Sequence, residues 1–365
     1  MTEKLKTLLH ERAETVNFAV PDVDALTSSG DRRVRRRRGF SVLGGVAALA
    51  LVGSLASTQL GGSGGGDDDL VADDPVTARV LTWAQGSVLH TPTTSTDLGH
   101  RIRAYVSTSE GYVFTDGTGH VYSAVDGEVT EVGSITSKGP RLVADGDGTL
   151  AAWVDPSGGR PAFVVVDQST GETQRFEEPG ATEVYAVDGA TAYWRDDRGA
   201  VAVDLHSGAT RVVNATPGTG AGVLAAEDGA LAVERGNAGD AANDGTVISR
   251  PDGDEVILSD AYGSTAVFST DARWVSVDAD EPQVFDTRSG EPVSFDLQGR
   301  VFATGFEWLD ATTLVMIASK NEAGPVELLS CTVPAGTCES TVSDLGTFDD
   351  FATTFALPVG VELED

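Results

Sequence analysis

A repeat of about forty residues limits the possible folds of this chain more than any other feature of its sequence. A marker made of an acidic and a small residue, followed by an apolar run, recurs in the region 75–365. The six markers are Glu110-Gly111, Asp147-Gly148, Asp188-Gly189, Asp228-Gly229, Asp271-Ala272 and Asp310-Ala311. The runs between them are short and rich in β-branched and aromatic residues, so they predict strands separated by tight turns.

A second marker, a glycine in a turn-forming segment, follows each of the first ones. These glycines are Gly127, Gly171, Gly208, Gly253, Gly290 and Gly336. They stand in segments such as VDQSTG and FDTRSG, which are typical of a hairpin between two strands. Each unit therefore contains at least two hairpins, and the second marker is expected between its last two strands.

Units of this length with several strands each are typical of the blades of a β-propeller. One blade cannot cover both of its apolar faces, so neighbouring blades must cover them. Six markers leave two strand-like ends, at residues 80–89 and 351–359, which predict a seventh blade that closes the ring. The predicted fold is an all-β, seven-bladed β-propeller over residues 78–361. A β-sandwich or a β-helix is the alternative.

These markers resemble those of the broad WD40-like, TolB-like and YVTN-like group of propellers. The resemblance covers about residues 78–361 and implies a fold, not a function. WD40 proteins carry Gly-His and Trp-Asp dipeptides in each blade. Here Trp-Asp does not occur, and Gly-His occurs only at Gly99-His100 and Gly119-His120. The order of head, span, linker and propeller is similar to that of uncharacterised actinobacterial single-pass membrane proteins.

An uncharged stretch at residues 39–60 predicts a transmembrane helix. At roughly 1.5 Å per residue it is long enough for a hydrocarbon core of about 30 Å. A basic cluster precedes it directly, consisting of Arg32, Arg33, Arg35, Arg36, Arg37 and Arg38. By the positive-inside rule this cluster places the N-terminus in the cytoplasm and the propeller outside the cell membrane. Residues 61–77 then form a Gly- and Asp-rich linker.

A cleaved export signal is the alternative to this anchor. Arg37-Arg38-Gly39-Phe40 is similar to a twin-arginine pattern, and Ser54-Leu55-Ala56 offers small residues for cleavage after Ala56. Residues 1–38 form a basic head for which two interpretations stay open. One is an amphipathic helix on anionic lipid. The other is a docking segment for a cytoplasmic protein.

The two cysteines are expected to form a disulfide bond. Cys331 and Cys338 flank a turn in the last hairpin of the sixth unit, where strand neighbours lie at disulfide distance. An oxidising exterior favours this bond. A metal pair would show shorter spacing and nearby histidine, and a redox pair would more often show C-x-x-C.

The remaining candidate residues do not predict a catalytic, cofactor or metal site. Asp145-Gly146-Asp147-Gly148 begins like a calcium loop, but a blade turn explains it better because later ligands are missing. Trp153 and Trp194 occupy equivalent places in their units, which favours core packing over ligand stacking. His90, His100, His120 and His206 follow no metal-binding spacing.

The sequence therefore predicts a non-catalytic binding or scaffolding module anchored in the cell membrane. Its partners would be the membrane, an extracytoplasmic ligand or protein, and a cytoplasmic protein at the head. Nucleic acid is excluded because the formal net charge is −31. Two alternatives remain. One is a transmembrane sensor whose head binds a partner such as a sigma factor, and the other is a propeller-type hydrolase or lyase.

Overall fold

The computed structural model describes residues 79–177, 182–214, 222–235, 245–258, 261, 265–278, 283–321, 324–347 and 355–363. Strands that pair antiparallel with their neighbours form seven sheets in this part of the chain. Six sheets have four strands and one has three. Each sheet is one blade, as the repeat predicts.

The strands follow the repeat in chain order. The first three strands are β1 (Trp83–Gln85), β2 (Val88–His90) and β3 (Ser95–Asp97). Blade 1 contains β4 (Ala104–Ser107), β5 (Gly111–Thr115), β6 (His120–Val125) and β7 (Glu128–Ser134). Blade 2 contains β8 (Leu142–Ala144), β9 (Leu150–Asp155), β10 (Ala162–Asp167) and β11 (Glu172–Phe176). Blade 3 contains β12 (Glu183–Asp188), β13 (Thr191–Asp196), β14 (Gly199–Asp204) and β15 (Thr210–Asn214).

The second half of the chain continues the same pattern. Blade 4 contains β16 (Val223–Glu227), β17 (Ala230–Arg235), β18 (Gly245–Ser249) and β19 (Glu255–Leu258). Blade 5 contains β20 (Ala266–Phe268), β21 (Trp274–Val277), β22 (Gln283–Asp286) and β23 (Pro292–Val293). Blade 6 contains β24 (Phe302–Trp308), β25 (Thr313–Ser319), β26 (Val326–Thr332) and β27 (Thr337–Val342).

The C-terminal end of the chain completes the seventh blade. Ala356 pairs antiparallel with Ala84 of β1, and each backbone N–H donates to the other's carbonyl at 2.9 Å. Segment 355–357 is therefore the inner strand of blade 7, and β1–β3 are its outer strands. This confirms the predicted closure, which joins the two ends of the propeller. Residues 351–354 of the predicted closing strand lie outside the described residues.

The first strand of each blade lies innermost. The strands β4, β8, β12, β16, β20 and β24 follow one another as direct neighbours around the axis. We call the four strands of a blade A to D from the inside outward. Antiparallel strands reverse direction at each turn, so the A–B and C–D turns lie at one end, here called the A–B face. The B–C and D–A connections form the opposite D–A face.

Apolar side chains fill the space between neighbouring blades. Val143 and Phe163 of blade 2 pack with Val184 and Trp194 of blade 3, all at most 3% exposed. The rings of Phe163 and Trp194 stack at 4.1 Å. Full burial of one such side chain stabilises the fold by ~1.5–3 kcal/mol. Both faces of a blade are covered in this way, so its inner strands are apolar throughout instead of alternating.

The second sequence marker forms the C–D turn in all six blades that carry it. Its glycines all have positive φ, from 69° at Gly208 and Gly336 to 88° at Gly253. Residues other than Gly, Asn and Asp rarely adopt this backbone conformation. The first marker behaves less uniformly, because Gly111 is not among the positive-φ residues of the described chain. A Cβ at Gly111 would instead collide with the Ala124 carbonyl.

Candidate functional site

Aspartates in the A–B turns connect neighbouring blades near the axis. The Asp145 carboxylate accepts from the backbone N–H of Gly148 at 3.1 Å in its own turn and from that of Gly189, in blade 3, at 3.0 Å. Asp188 of blade 3 accepts from the N–H of Gly229, in blade 4, at 2.8 Å. The acidic residues at these turns therefore join blades as well as ending a strand.

Arg79 lies buried at the A–B end of the axis, with its side chain 1% exposed. Its Nε and Nη2 donate to Asp147 Oδ1 at 3.0 and 2.8 Å, and Nη2 lies 3.9 Å from Glu227 Oε1. Its backbone N–H donates to the Leu309 carbonyl at 2.9 Å. Arg79, which precedes β1 in the chain, thus contacts blades 2, 4 and 6. The Nη1 atom of its guanidinium is buried and has no hydrogen-bond partner.

The carboxylates around Arg79 carry more negative charge than one guanidinium can neutralise. Burial raises the pKa of Glu227 well above its ordinary value, although Arg79 acts in the opposite direction. The neighbouring carboxylates Asp147, Asp145 and Asp188 raise it further. Burial also raises the pKa values of Asp145 and Asp188. Ionised carboxylates are therefore energetically costly at this end of the axis.

Glu307 adds a carboxyl group to the same region. It lies near the end of β24, beside a register shift after Gly305, and is 1% exposed. Neither of its carboxyl oxygens has a hydrogen-bond partner. Burial raises its pKa to about 8, and Arg79 acts against this shift. Glu307 consequently keeps its proton near neutral pH.

Two tyrosines of blade 1 lie within the electrostatic range of Glu307. The Tyr105 hydroxyl and Thr82 Oγ1 form a buried hydrogen bond at 3.1 Å. Burial raises the pKa values of Tyr105 and Tyr112, and the charge of Glu307 raises them further. Both phenols therefore stay protonated.

The C-terminal segment lies against the inner strands of blades 1 and 2, close to the D–A face. The Gly360 N–H donates to the Tyr105 carbonyl at 2.9 Å, and its carbonyl accepts from the Leu142 N–H at 2.7 Å. Its φ of 73° favours glycine, and a Cβ there would collide with the Leu142 carbonyl. Glu362 pairs with Arg103, just before β4. The described part of the chain thus begins at the A–B face, and its C-terminal segment ends near the D–A face.

Cys331 and Cys338 form a disulfide bond, as the sequence predicts. They face each other across β26 and β27 and are both buried. The hairpin also contacts blade 5, because Gly336 accepts from the Asp296 N–H at 2.8 Å and Cys338 accepts from Gln298 Nε2 at 3.0 Å. The bond therefore holds a hairpin that packs against its neighbour.

Removing this disulfide should destabilise the protein moderately. We expect the Cys331→Ala/Cys338→Ala variant to lose about 2 kcal/mol of unfolding free energy, because the bond closes only a short loop of the unfolded chain. Urea unfolding measures the loss. Wild-type protein unfolded under reducing conditions should match the variant, and an unchanged midpoint in both would contradict the prediction.

Other sequence candidates have structural roles. Asp145 and Asp147 of the calcium-like segment are engaged by backbone N–H groups and by Arg79. Within the described ranges, no group of three or more His, Cys, Asp or Glu side chains could hold a metal ion. Trp153 and Trp194 are fully buried in the core. The structure brings two of the scattered histidines together on blade 1, where His100 stacks on Tyr122 at 4.2 Å and His120 contacts Glu131 at 2.9 Å.

The predicted head, transmembrane helix and linker lie outside the described residues, as do the arginines that carry the orientation prediction. In the part of the chain that the structure describes, no helix combines the length and apolarity needed to cross a bilayer.

The sequence interpretation missed the axial charges. Glu307 stands in FATGFEW, an otherwise apolar strand segment, and a lone carboxylate there was a detectable signal. Glu227 directly precedes the Asp228-Gly229 marker at the end of the equally apolar VLAAE. Arg79 offered no such signal, because it precedes the first strand at the predicted linker boundary.

Comparisons with known proteins support the fold alone. No family model matches the sequence, and no curated protein matches it. Among solved structures, a prolyl endopeptidase has a TM-score of 0.51 at 15% identity, and the match covers 70% of this chain and 46% of that one. TolB from Acinetobacter baumannii has a TM-score of 0.41 at 13% identity, covering 78% of this chain and 67% of TolB. Hsv2p from Kluyveromyces lactis has a TM-score of 0.40 at 10% identity, and the match covers 62% of this chain and 74% of Hsv2p.

The chain is a seven-bladed β-propeller. At such low identity the propeller architecture is what the likeness supports, and activities of the similar proteins do not transfer. The resemblance to actinobacterial membrane proteins receives no support from these matches.

Proposed function

We propose that this propeller is a membrane-anchored, extracytoplasmic binding or scaffolding module without catalytic activity. The observation that carries the proposal is the occupation of the axis by the chain itself. The buried guanidinium of Arg79 pairs at one end with Asp147, which is 40% exposed. Backbone hydrogen bonds hold Gly360 between β4 and β8.

An occupied axis favours recognition on the outside of the propeller. Small-molecule sites are concave and enclose most of their ligand. Here the central position, where such a concavity would lie, contains hydrogen-bonded backbone and an ion-paired side chain. The A–B and D–A faces remain for contact with larger partners, which suits a scaffold.

The proposed location rests on the sequence and on the cystine. The predicted span at residues 39–60 follows the arginine cluster, and a buried disulfide is typical of an oxidising compartment. If residues 61–77 form the Gly- and Asp-rich linker that the sequence predicts, a coil of that length would span about 20–25 Å. The propeller would therefore stay close to the external surface of the cell membrane.

Protease accessibility in intact cells tests this location. Externally added protease should degrade the propeller while an epitope on the head survives until the cells are lysed. A propeller that resists protease in intact cells but not in lysed cells would place it in the cytoplasm and contradict the proposal.

Site-specific photo-crosslinking tests the binding role. A photoreactive residue at Glu110 samples the A–B face and one at Lys138 samples the D–A face. Both positions are exposed. We expect a discrete adduct in living cells from at least one of them. Failure of both positions, with the protein folded and at the membrane, would remove the support for a scaffold.

A further inference from the structure

The two faces of the propeller differ in charge. Every A–B turn of blades 1–6 carries an acid, namely Glu110, Asp145, Asp188, Asp228, Asp271 and Asp310. The C–D turns of blades 1–5 each carry an aspartate as well. The D–A face also carries acids, but it holds Lys138 and Lys320, the lysines of the described residues, and arginines that pair with its acids, namely Arg103, Arg141, Arg175 and Arg300. Negative charge is therefore concentrated on the A–B face.

Few cations neutralise this face; two of its arginines contact acids, and Arg288 is exposed in the C–D turn of blade 5. Arg250 lies 2.9 Å from Asp254, and Arg273 lies 3.7 Å from Asp286. Several of the acids are solvent-exposed, including Glu110, which has no role in an ion pair of the described residues. A strongly acidic, accessible surface attracts cationic partners over a long range.

A second observation at the centre of this face also points to a cationic ligand. The chain's own Arg79 shows how the face holds a guanidinium, through two donors to Asp147 and a close approach to Glu227. Glu307, at the same end of the inner strand β24, remains buried with both oxygens unpartnered. Because Glu307 keeps its proton, the negative charge at the centre of this face comes from the turn acids and from Asp147, which is 40% exposed.

The path of the chain sets the position of this face. Arg79, the first described residue, lies at the A–B end of the axis, so the preceding linker must leave from there. If the propeller is tethered as proposed above, the tether is attached at the A–B face.

We infer that the A–B face is a docking surface for a Lys- and Arg-rich segment of a partner protein held at the same membrane. This inference rests on the proposed function for the location of the partner, but not for its chemistry. Basic side chains of the partner contact the exposed acids of the turns. Anionic lipid and nucleic acid are repelled by the same charges.

The test measures binding of a fluorescent oligo-arginine peptide to the full-length protein in a nanodisc of zwitterionic lipid. We expect saturable binding that weakens as salt is raised, because exposed charges are screened. An oligo-glutamate peptide should not bind.

Two triple variants distinguish a docking face from a general charge effect. Glu110→Gln/Asp126→Asn/Asp228→Asn removes three negative charges from the A–B face. It introduces little backbone strain, because Asp126 and Asp228 have positive φ, which Asn tolerates. We expect it to weaken binding about fivefold, which corresponds to modest contributions from each exposed charge. The control Glu177→Gln/Asp197→Asn/Asp344→Asn removes the same charge from the D–A face and should change affinity less than about twofold.

Equal losses in the two variants, or no binding by wild-type protein, would overturn the inference. Binding to anionic vesicles in place of the peptide would overturn it as well. These results are independent of the protease experiment. A cytoplasmic propeller that still binds the peptide keeps the docking chemistry and loses only the proposed location.

Discussion

Replacing Arg79 with methionine should lower the free energy of unfolding by about 1–3 kcal/mol, because its guanidinium is buried whereas its partner Asp147 is 40% exposed and partly screened by water. Methionine retains much of the apolar stem, so the loss reflects the charge and its hydrogen bonds. Without the guanidinium, Asp147 loses two donors and Glu227 loses its nearest cation. Urea unfolding of the full-length protein at neutral pH measures the effect.

Arg288→Met is the matched control for this variant. Arg288 is exposed in the C–D turn of blade 5, so its replacement should change stability by no more than about 0.5 kcal/mol. Arg79→Lys keeps the positive charge but loses the planar set of guanidinium N–H donors. It should therefore be more stable than Arg79→Met and less stable than the wild-type protein. Equal small losses in Arg79→Met and Arg288→Met would show that the axial ion pair does not hold the blades together.

Replacing Glu307 with glutamine should remove a large pH dependence of stability. The folded protein holds the Glu307 proton up to a pKa of about 8, whereas the unfolded chain releases it near the ordinary value of 4.5. The folded state therefore binds the extra proton between these values, and stability from this group falls as pH rises through the window. At about 1.4 kcal/mol per pH unit, wild-type protein should lose about 3 kcal/mol between pH 6 and pH 9.

The comparison between variants isolates this group from other titrations. We expect Glu307→Gln to lose about 3 kcal/mol less than wild-type protein over the same pH range, and to be the more stable of the two at the alkaline end. Glu110→Gln, an exposed glutamate in the A–B turn of blade 1, should follow the wild-type curve. Parallel curves for wild type and Glu307→Gln would show that the carboxyl group is solvated or partnered.

Local chemistry explains why much of the fold was predictable. Each C–D glycine must adopt positive φ whatever the rest of the chain does, so the markers at Gly171 and Gly290 locate hairpins directly. Cys331 and Cys338 flank one such turn, and antiparallel pairing then places them opposite each other. The number of blades follows from the repeat and from the need to cover the last apolar edge.

The axial site depends on distances that no sequence pattern records. Arg79 precedes blade 7, whereas Asp147, Glu227 and Glu307 belong to blades 2, 4 and 6, so these residues come together only after the ring closes. Their pKa values arise from loss of solvent and from one another's charge, which are properties of the assembled interior. The path of residues 358–363 along the axis likewise depends on closure. The repeat in the chain therefore specified the blades, because turns and strands are local, whereas the charges at the centre acquired their environment from contacts between distant segments.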